Sequence, residues 1–169
     1  MPNTEPMTQR VELAAVMDRL AVDGLITDYA VAVDDGDWSV YRGLFTSDGR
    51  ADYRSAGGIE GEAGNVATWL AESMRVFRMR QHLIVNRRLR FGTLNQDTGD
   101  TAQVQADYVN PMRLTEEGDG AGPGAPDFVC GGRYDFGLLR TDDGWRLREV
   151  VVREKWRRLP GRAPAPVID

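Results

Sequence analysis

The chain has 169 residues, of which 41% are hydrophobic and 28% charged, and its formal net charge is −5. This length and apolar content suit one globular domain with a single core. The acidic balance argues against nucleic acids and anionic membranes as partners, because both attract basic surfaces. No apolar run resembles a signal peptide or approaches the roughly 20 residues of a membrane span. We therefore expect a cytoplasmic protein.

The chain contains one cysteine, Cys130, and one histidine, His82. An internal disulfide cannot form, and one histidine with scattered carboxylates does not make a metal-ligand cluster. We therefore predict no metal and no cofactor, and a fold stabilised by packing.

The first part of the chain is predicted to be helical. Residues 1–7 are polar and contain prolines, so we expect them to be disordered. A first helix is predicted from Thr8, because apolar residues recur there at helical spacing: Leu13, Val16, Met17 and Leu20. Asp23 is a candidate start for a second segment, whose stripe is Val22, Leu25, Ile26, Tyr29 and Val33. Gly36 is the candidate helix stop, and a short third helix is predicted to begin at Asp37.

The middle of the chain changes from turn and strand to helix. Residues 46–49 have the composition of a turn, and residues 50–54 that of a short strand. A further amphipathic helix is predicted from the spacing of Val66, Trp69, Leu70, Met74 and Phe77.

Residues 81–91 have the alternation of a strand. One face carries Leu83, Val85, Leu89 and Phe91, and the other carries His82, Ile84, Asn86, Arg88 and Arg90. A regular strand would thus place two arginines on the face of His82. We expect a β-bulge after Asn86, or burial of the arginines in a subunit contact.

The rest of the chain is predicted to form antiparallel strands. A turn at residues 97–100 leads to a strand at 101–113, and strands at 128–140 and 145–156 are joined by a turn at 141–144. Residues 116–126 are rich in Gly and Pro and indicate a loop, either a tolerated insertion or a substrate lid. The predicted fold is α+β: one domain at 8–158, with a curved antiparallel or mixed sheet wrapped by helices around a pocket, and an extended tail at 159–169.

Three motifs together resemble those of a known family. They are Tyr29-x4-Asp34 followed by Gly36-Asp37-Trp38, then His82-Leu-Ile-Val-Asn86, and Gly131-Gly-Arg-Tyr134 with Asp143-Gly-Trp145-Arg146. Over residues 11–156 the sequence resembles the SnoaL-like branch of the NTF2-like superfamily, which implies a cone-shaped fold. It is most similar to the group that includes scytalone dehydratase, bile-acid 7α-dehydratase and hexachlorocyclohexane dehydrochlorinase.

The resemblance implies roles for three residues. In that group an aspartate at the end of the long helix holds a histidine that removes a proton from carbon, and these match Asp34 and His82. Tyr29 matches a tyrosine that polarises the substrate in some members. Imidazole suits a base at neutral pH because its unperturbed pKa is about 6.5, and a carboxylate on its other nitrogen stabilises the imidazolium. The second histidine of scytalone dehydratase has no counterpart here.

The geometry of an ideal helix makes Asp34 an unusual candidate. At 100° per residue it lies about 140° around the helix from Tyr29, away from the apolar stripe. We expect Asp34 to meet His82 only if the sheet wraps past the stripe or the helix ends early at Val33. Tyr29 itself lies on the stripe, where a core residue is the alternative.

The leading hypothesis is a cofactor-independent lyase or isomerase acting on an apolar, cyclic or polycyclic small molecule. Strand parity and the middle helix add candidate substrate contacts: Trp69, Met74, Asn86, Tyr108, Asn110, Met112, Tyr134 and Phe136. Arg140 is a candidate partner of Asp34 or of a ligand. The alternatives are a non-catalytic binding or scaffold protein, and a cyclase or hydrolase of the same fold. An apolar outer sheet face predicts a homo-oligomer, either dimer or trimer.

Overall fold

The computed structural model describes residues 5–94, 97–114 and 124–159. It contains three α-helices: α1 (Glu5–Asp35), α2 (Trp38–Gly43) and α3 (Ala63–Ser73). The strands are β1 (Phe45–Asp52), β2 (Glu60–Glu62), β3 (Phe77–Arg80), β4 (Leu83–Leu94), β5 (Asp97–Leu114), β6 (Phe128–Thr141) and β7 (Gly144–Arg158). Within these ranges no helix has both the length and the apolar character needed to cross a membrane.

The strands form one curved, open sheet in the order β2-β1-β7-β6-β5-β3, and β4 also pairs with β5. The β1–β7 pair is parallel and the other pairs are antiparallel, so the sheet is mixed. Alternate residues of β5, β6 and β7 are buried against α1 and α3 in one core. The predicted α+β architecture is confirmed.

Helix α1 is continuous, and the predicted new segment at Asp23 is wrong. The core side chains Val22 and Leu25 lie on either side of that position, so packing holds the helix together there. Arg87 from β4 also donates to the Asp23 carbonyl oxygen at 2.9 Å. The helix begins at Glu5 rather than Thr8, and the apolar residues of its first half are exposed: Val11, Leu13, Val16, Met17 and Leu20.

The end of α1 follows the sequence signals. Gly36 adopts a left-handed backbone with φ +71°, and its N–H donates to the Val33 carbonyl oxygen while the Asp37 N–H donates to that of Ala32. These two bonds form a Schellman motif, which ends a helix at glycine. The Asp37 carboxylate then caps α2 by accepting from the Val40 N–H at 2.9 Å. The predicted helix stop at Gly36 and the predicted start of a short helix at Asp37 are both confirmed.

Two predicted turns are wrong. Residues 46–49 belong to β1, whose parallel pairing with β7 is irregular between Phe45 and Arg50, so the turn-like composition there gives an irregular strand. Residues 97–100 belong to β5, which pairs with β4 from Asp97 onward. Most of the predicted loop at 116–126, the tail from residue 160 and residues 1–4 lie outside the described ranges.

Strand β4 contains the expected bulge. Val85 pairs with Asp107 and Arg88 with Gln105, so the β4 side has one extra residue, and Asn86 adopts φ +53°. The bulge exchanges the two faces of the strand. Before it Ile84 is buried and Leu83 and Val85 are exposed, whereas after it Leu89 and Phe91 pack on the core and the arginines point outward. The single apolar face predicted for residues 81–91 is therefore wrong in its second half.

Candidate active site

A cavity of about 250 Å³ lies between α3, the end of α1 and the inner face of β5, β6 and β7. Its walls are mostly apolar, and His82 borders it. Six of the residues expected to contact a ligand line it: Trp69, Met74, Tyr108, Asn110, Met112 and Tyr134. A volume of this order suits a ligand of one or two rings.

Asp34 binds His82 through both carboxylate oxygens. Oδ1 lies 2.5 Å from the imidazole Nδ1, and Oδ2 accepts from the His82 main-chain N–H at 2.8 Å. The histidine side chain is only 7% exposed. A carboxylate on Nδ1 fixes the neutral tautomer that carries its proton there, which leaves Nε2 as the basic nitrogen.

The sheet, rather than an early helix end, brings this pair together. Helix α1 continues through Asp35, so Asp34 lies in its last turn and off the buried stripe. Residues 81 and 82, between β3 and β4, pass this turn and deliver His82 to it. Arg80 strengthens the contact, because its Nε and Nη2 donate to the Asp34 carbonyl oxygen at 3.1 and 2.9 Å. This carbonyl would otherwise be one of the unpaired acceptors at the helix end.

The strand register places Asn110 opposite His82. Arg80 pairs with Met112, Leu83 pairs with Val109, and the Gln81 N–H donates to the Pro111 carbonyl oxygen at 3.1 Å. His82 therefore faces Asn110 across the gap between β3 and β4. Opposite residues on antiparallel strands have their Cβ atoms about 4.5–5.5 Å apart, so the two side chains meet the cavity side by side.

Tyr29 does not line the cavity. It is fully buried in the core, and its hydroxyl forms a hydrogen bond with the hydroxyl of Tyr53, which does line it. Burial raises the pKa of both tyrosines well above the ordinary value. Both phenols therefore stay protonated at neutral pH, and of these two tyrosines only Tyr53 lines the cavity.

Three further expectations need correction. Asn86 lies on the outer side of the bulge, exposed, and donates to Asp107 at 3.3 Å, so it does not line the cavity. Phe136 is buried against the Tyr29 ring and does not line it either. Arg140 is bound by the Asp18 carboxylate at 2.8 and 2.6 Å, so it is not the partner of Asp34.

The sequence interpretation missed a charged pair in the cavity wall. Glu154 lines the cavity and accepts from Arg157 Nε at 2.5 Å, while Arg157 Nη2 donates to the Ala56 carbonyl oxygen at 3.0 Å. Glu154 shares strand parity with the core residues Val150 and Val152, and a charge on an apolar face was the available signal. Because the pair is neutral, it adds no net charge to the wall.

Cys130 also lines the cavity. Burial, followed by the negative charge of Glu154, raises the pKa of its thiol to about 11. The thiol is therefore protonated at neutral pH and unsuited to nucleophilic catalysis. Within the described ranges no group of three His, Cys, Asp or Glu side chains is placed to hold a metal ion.

Residues 14–151 match the model of the SnoaL-like domain. The chain belongs to this family. A relative in Mycobacterium tuberculosis, the uncharacterized protein Rv2910c, is 32% identical over 137 residues, which cover 81% of this chain and 85% of the relative. The resemblance drawn from the sequence motifs is thus confirmed at the level of the family.

Solved structures show the same fold. A hexachlorocyclohexane dehydrochlorinase, LinA-type3 from Novosphingobium barchaimii, superposes on this SnoaL-like chain with a TM-score of 0.71 and 18% identity, covering 92% of this chain and 99% of its own. A proposed scytalone dehydratase from Novosphingobium aromaticivorans gives a TM-score of 0.69 and 19% identity, covering 89% and 97%. At these identities the likeness concerns the fold.

Proposed function

We propose that this protein is a cofactor-independent lyase or isomerase that removes a proton from carbon in an apolar small molecule. The observation that carries the proposal is the contact of both Asp34 carboxylate oxygens with His82, which borders a mostly apolar cavity. A base needs a fixed orientation and a free nitrogen beside the substrate. The contact with Asp34 supports the first requirement, and Nε2 is the nitrogen left for the second.

The proposed first step is proton transfer from a substrate carbon to His82 Nε2. Asp34 holds the Nδ1 proton and stabilises the imidazolium that forms. Electron density then moves toward a carbonyl oxygen or a leaving group on the substrate. Returning the proton at another carbon gives isomerisation, and loss of the leaving group gives elimination.

Tyr53 is the proposed hydrogen-bond donor to the developing negative charge. Tyr53 lines the cavity, and its hydroxyl is held by a hydrogen bond with the hydroxyl of the buried Tyr29. A neutral phenol donates without introducing charge into an apolar site. Tyr29 is therefore proposed as a positioning residue, with Tyr53 in the role that the motif gave to Tyr29.

The main alternative is a non-catalytic binding protein. It is favoured by the bond from the His82 main-chain N–H to Asp34, since this gives the aspartate a purely structural task as well. This alternative predicts a different result from the lyase or isomerase, because a binding protein takes up ligands without exchanging their carbon-bound protons.

Proton exchange in D2O tests the proposal without knowledge of the natural substrate. We expect the protein to accelerate deuteration of the carbon next to the carbonyl in at least one of 1-tetralone, 2-tetralone and 4-chromanone, by about 10²-fold or more over buffer. Proton NMR measures the loss of the signal, and heat-denatured protein is the control. Exchange at the buffer rate for all three ketones would contradict the lyase or isomerase function and favour the binder.

We also propose that the protein is a homo-oligomer. A row of apolar side chains crosses four strands on the outer sheet face, because Leu83 pairs with Val109, Val109 with Gly131, and Gly131 with Trp156. The three side chains of this row are 37–48% exposed. Exposed apolar patches are typical of association surfaces, and pairing with a second copy would cover this row.

Light scattering after size exclusion tests this second proposal. The wild-type protein is expected to elute as a dimer or trimer, and Leu83→Asp as a monomer, because a charge in the row cannot be buried without a partner. Val40→Asp places the same charge on α2, at a side chain of similar exposure (46%, against 45% for Leu83), and is the matched control, expected to keep the assembly. A monomeric wild-type protein, or dissociation only in the control, would contradict the proposed surface.

A further inference from the structure

Asn110 is buried, at 4% exposure, and apart from aromatic and cysteine side chains it is the only buried residue with a polar side chain among the described ranges. Its Oδ1 has no hydrogen-bond partner within the same part of the chain. Burying an acceptor without a partner is unfavourable, so such a group calls for an explanation. Asn110 also lines the cavity.

The atom of Asn110 that is left for a ligand is its side-chain carbonyl oxygen. Oδ1 is the buried atom without a partner, and an amide oxygen is a hydrogen-bond acceptor. The register of β5 against β3 and β4 places Asn110 opposite His82 across the strand gap.

We propose that Asn110 Oδ1 accepts a hydrogen bond from a substrate hydroxyl, so that the natural substrate is a hydroxylated one- or two-ring compound. The place of this hydroxyl, close to the carbon that His82 deprotonates, rests on the proposed function. The preference for a hydroxyl does not depend on it. Asn110 is a specificity residue in this proposal, and the hydroxyl it holds is retained in the product, because an acceptor gives no help to a departing oxygen.

The two polar ends of the cavity then have opposite requirements. Tyr53 offers a donor, which suits a carbonyl or leaving group, whereas Asn110 offers an acceptor, which suits a hydroxyl. A site built to bind a hydroxyl discriminates strongly against a ligand that lacks it, because the site's own polar group stays buried and unpaired.

Equilibrium dialysis with 2-naphthol and 2-methylnaphthalene tests the preference. The two probes differ by a hydroxyl in place of a methyl group of similar size. We expect the wild-type protein to bind 2-naphthol at least about tenfold more tightly, although the methyl compound is the more hydrophobic. Asn110→Leu is expected to abolish or reverse this preference. Gln103→Leu also replaces an amide on β5, but at an exposed position that does not line the cavity, and it is expected to keep the preference.

Each contrary outcome is decisive. Equal binding of the two probes to the wild-type protein, or no binding of either, would overturn the proposal without any variant. A preference that survives in Asn110→Leu would assign the selectivity to another group. Because the measurement involves no turnover, it is made on the wild-type protein whatever the outcome of the proton-exchange test, so failure of the catalytic proposal is distinguishable from failure of this one.

Discussion

Replacing His82 with alanine is expected to lower the rate of proton exchange by about 10²- to 10⁴-fold. The loss follows from removal of the only imidazole in the chain, whose ring borders the cavity. The change should appear in kcat rather than in KM, because the apolar walls that bind the ligand remain. Deuteration of the responsive ketone in D2O measures it, and circular dichroism verifies the fold.

Asp34→Asn is expected to cause a loss of similar order while leaving the protein folded. An amide keeps one oxygen acceptor for the His82 main-chain N–H but cannot hold the ring tautomer or stabilise the imidazolium as a carboxylate does. Asp35→Asn makes the same chemical change one residue later, at an exposed position, and is the matched control. Wild-type rates in His82→Ala or Asp34→Asn would refute the dyad and the function proposed from it.

Gly132→Ala is expected to lower the free energy of unfolding by about 1–3 kcal/mol, with the loss closer to the upper end of that range. A Cβ atom at Gly132 would overlap the carbonyl oxygen of Arg153 on β7. The register shifts here, since Gly131 pairs with Trp156 and Gly132 with Glu154, and this irregularity brings the β7 backbone close. A backbone oxygen held in the middle of a sheet cannot move aside as a side chain can.

Gly137→Ala in the same strand is the matched control for this prediction. Its Cβ atom would lie 3.5 Å from the Glu149 Cβ, an ordinary contact, so the change is expected to be neutral or to stabilise by about 0.4–1 kcal/mol. Urea unfolding followed by circular dichroism, at one protein concentration for all samples, measures both variants. Equal stability of the two variants would show that the strands around Gly132 move apart at little cost.

Local signals in the sequence were sufficient for the helix ends and the long strands. Gly36 and Asp37 act through hydrogen bonds to residues at most five positions away, so their effect does not depend on the rest of the fold. The same holds for the alternation that predicts β6 and β7. The continuity of α1 past Asp23 was not predictable in this way, because packing of its buried stripe overrides a weak local break.

In the candidate active site, too, sequence signals predicted some residues and failed for others. The family motif identified Asp34 and His82 as a pair. Strand parity identified four residues that line the cavity, and the middle helix identified two more. Parity failed at Asn86, where a bulge exchanges the faces of β4. The sequence interpretation also missed Tyr53. The apolar stripe of α1 indicates that Tyr29 is buried, but no sequence pattern indicates that Tyr53 lies between Tyr29 and the cavity.

The sequence by itself determined the family, the α+β architecture and the identity of the two residues proposed to move the proton. Only the tertiary structure decided that they meet. Asp34 lies off the buried stripe of α1, and it reaches His82 because the segment between β3 and β4 passes the last turn of the helix, where Arg80 holds the Asp34 carbonyl oxygen. The same register sets Asn110 beside the histidine. Such contacts join residues 28–48 positions apart, and no local pattern encodes the distance between them.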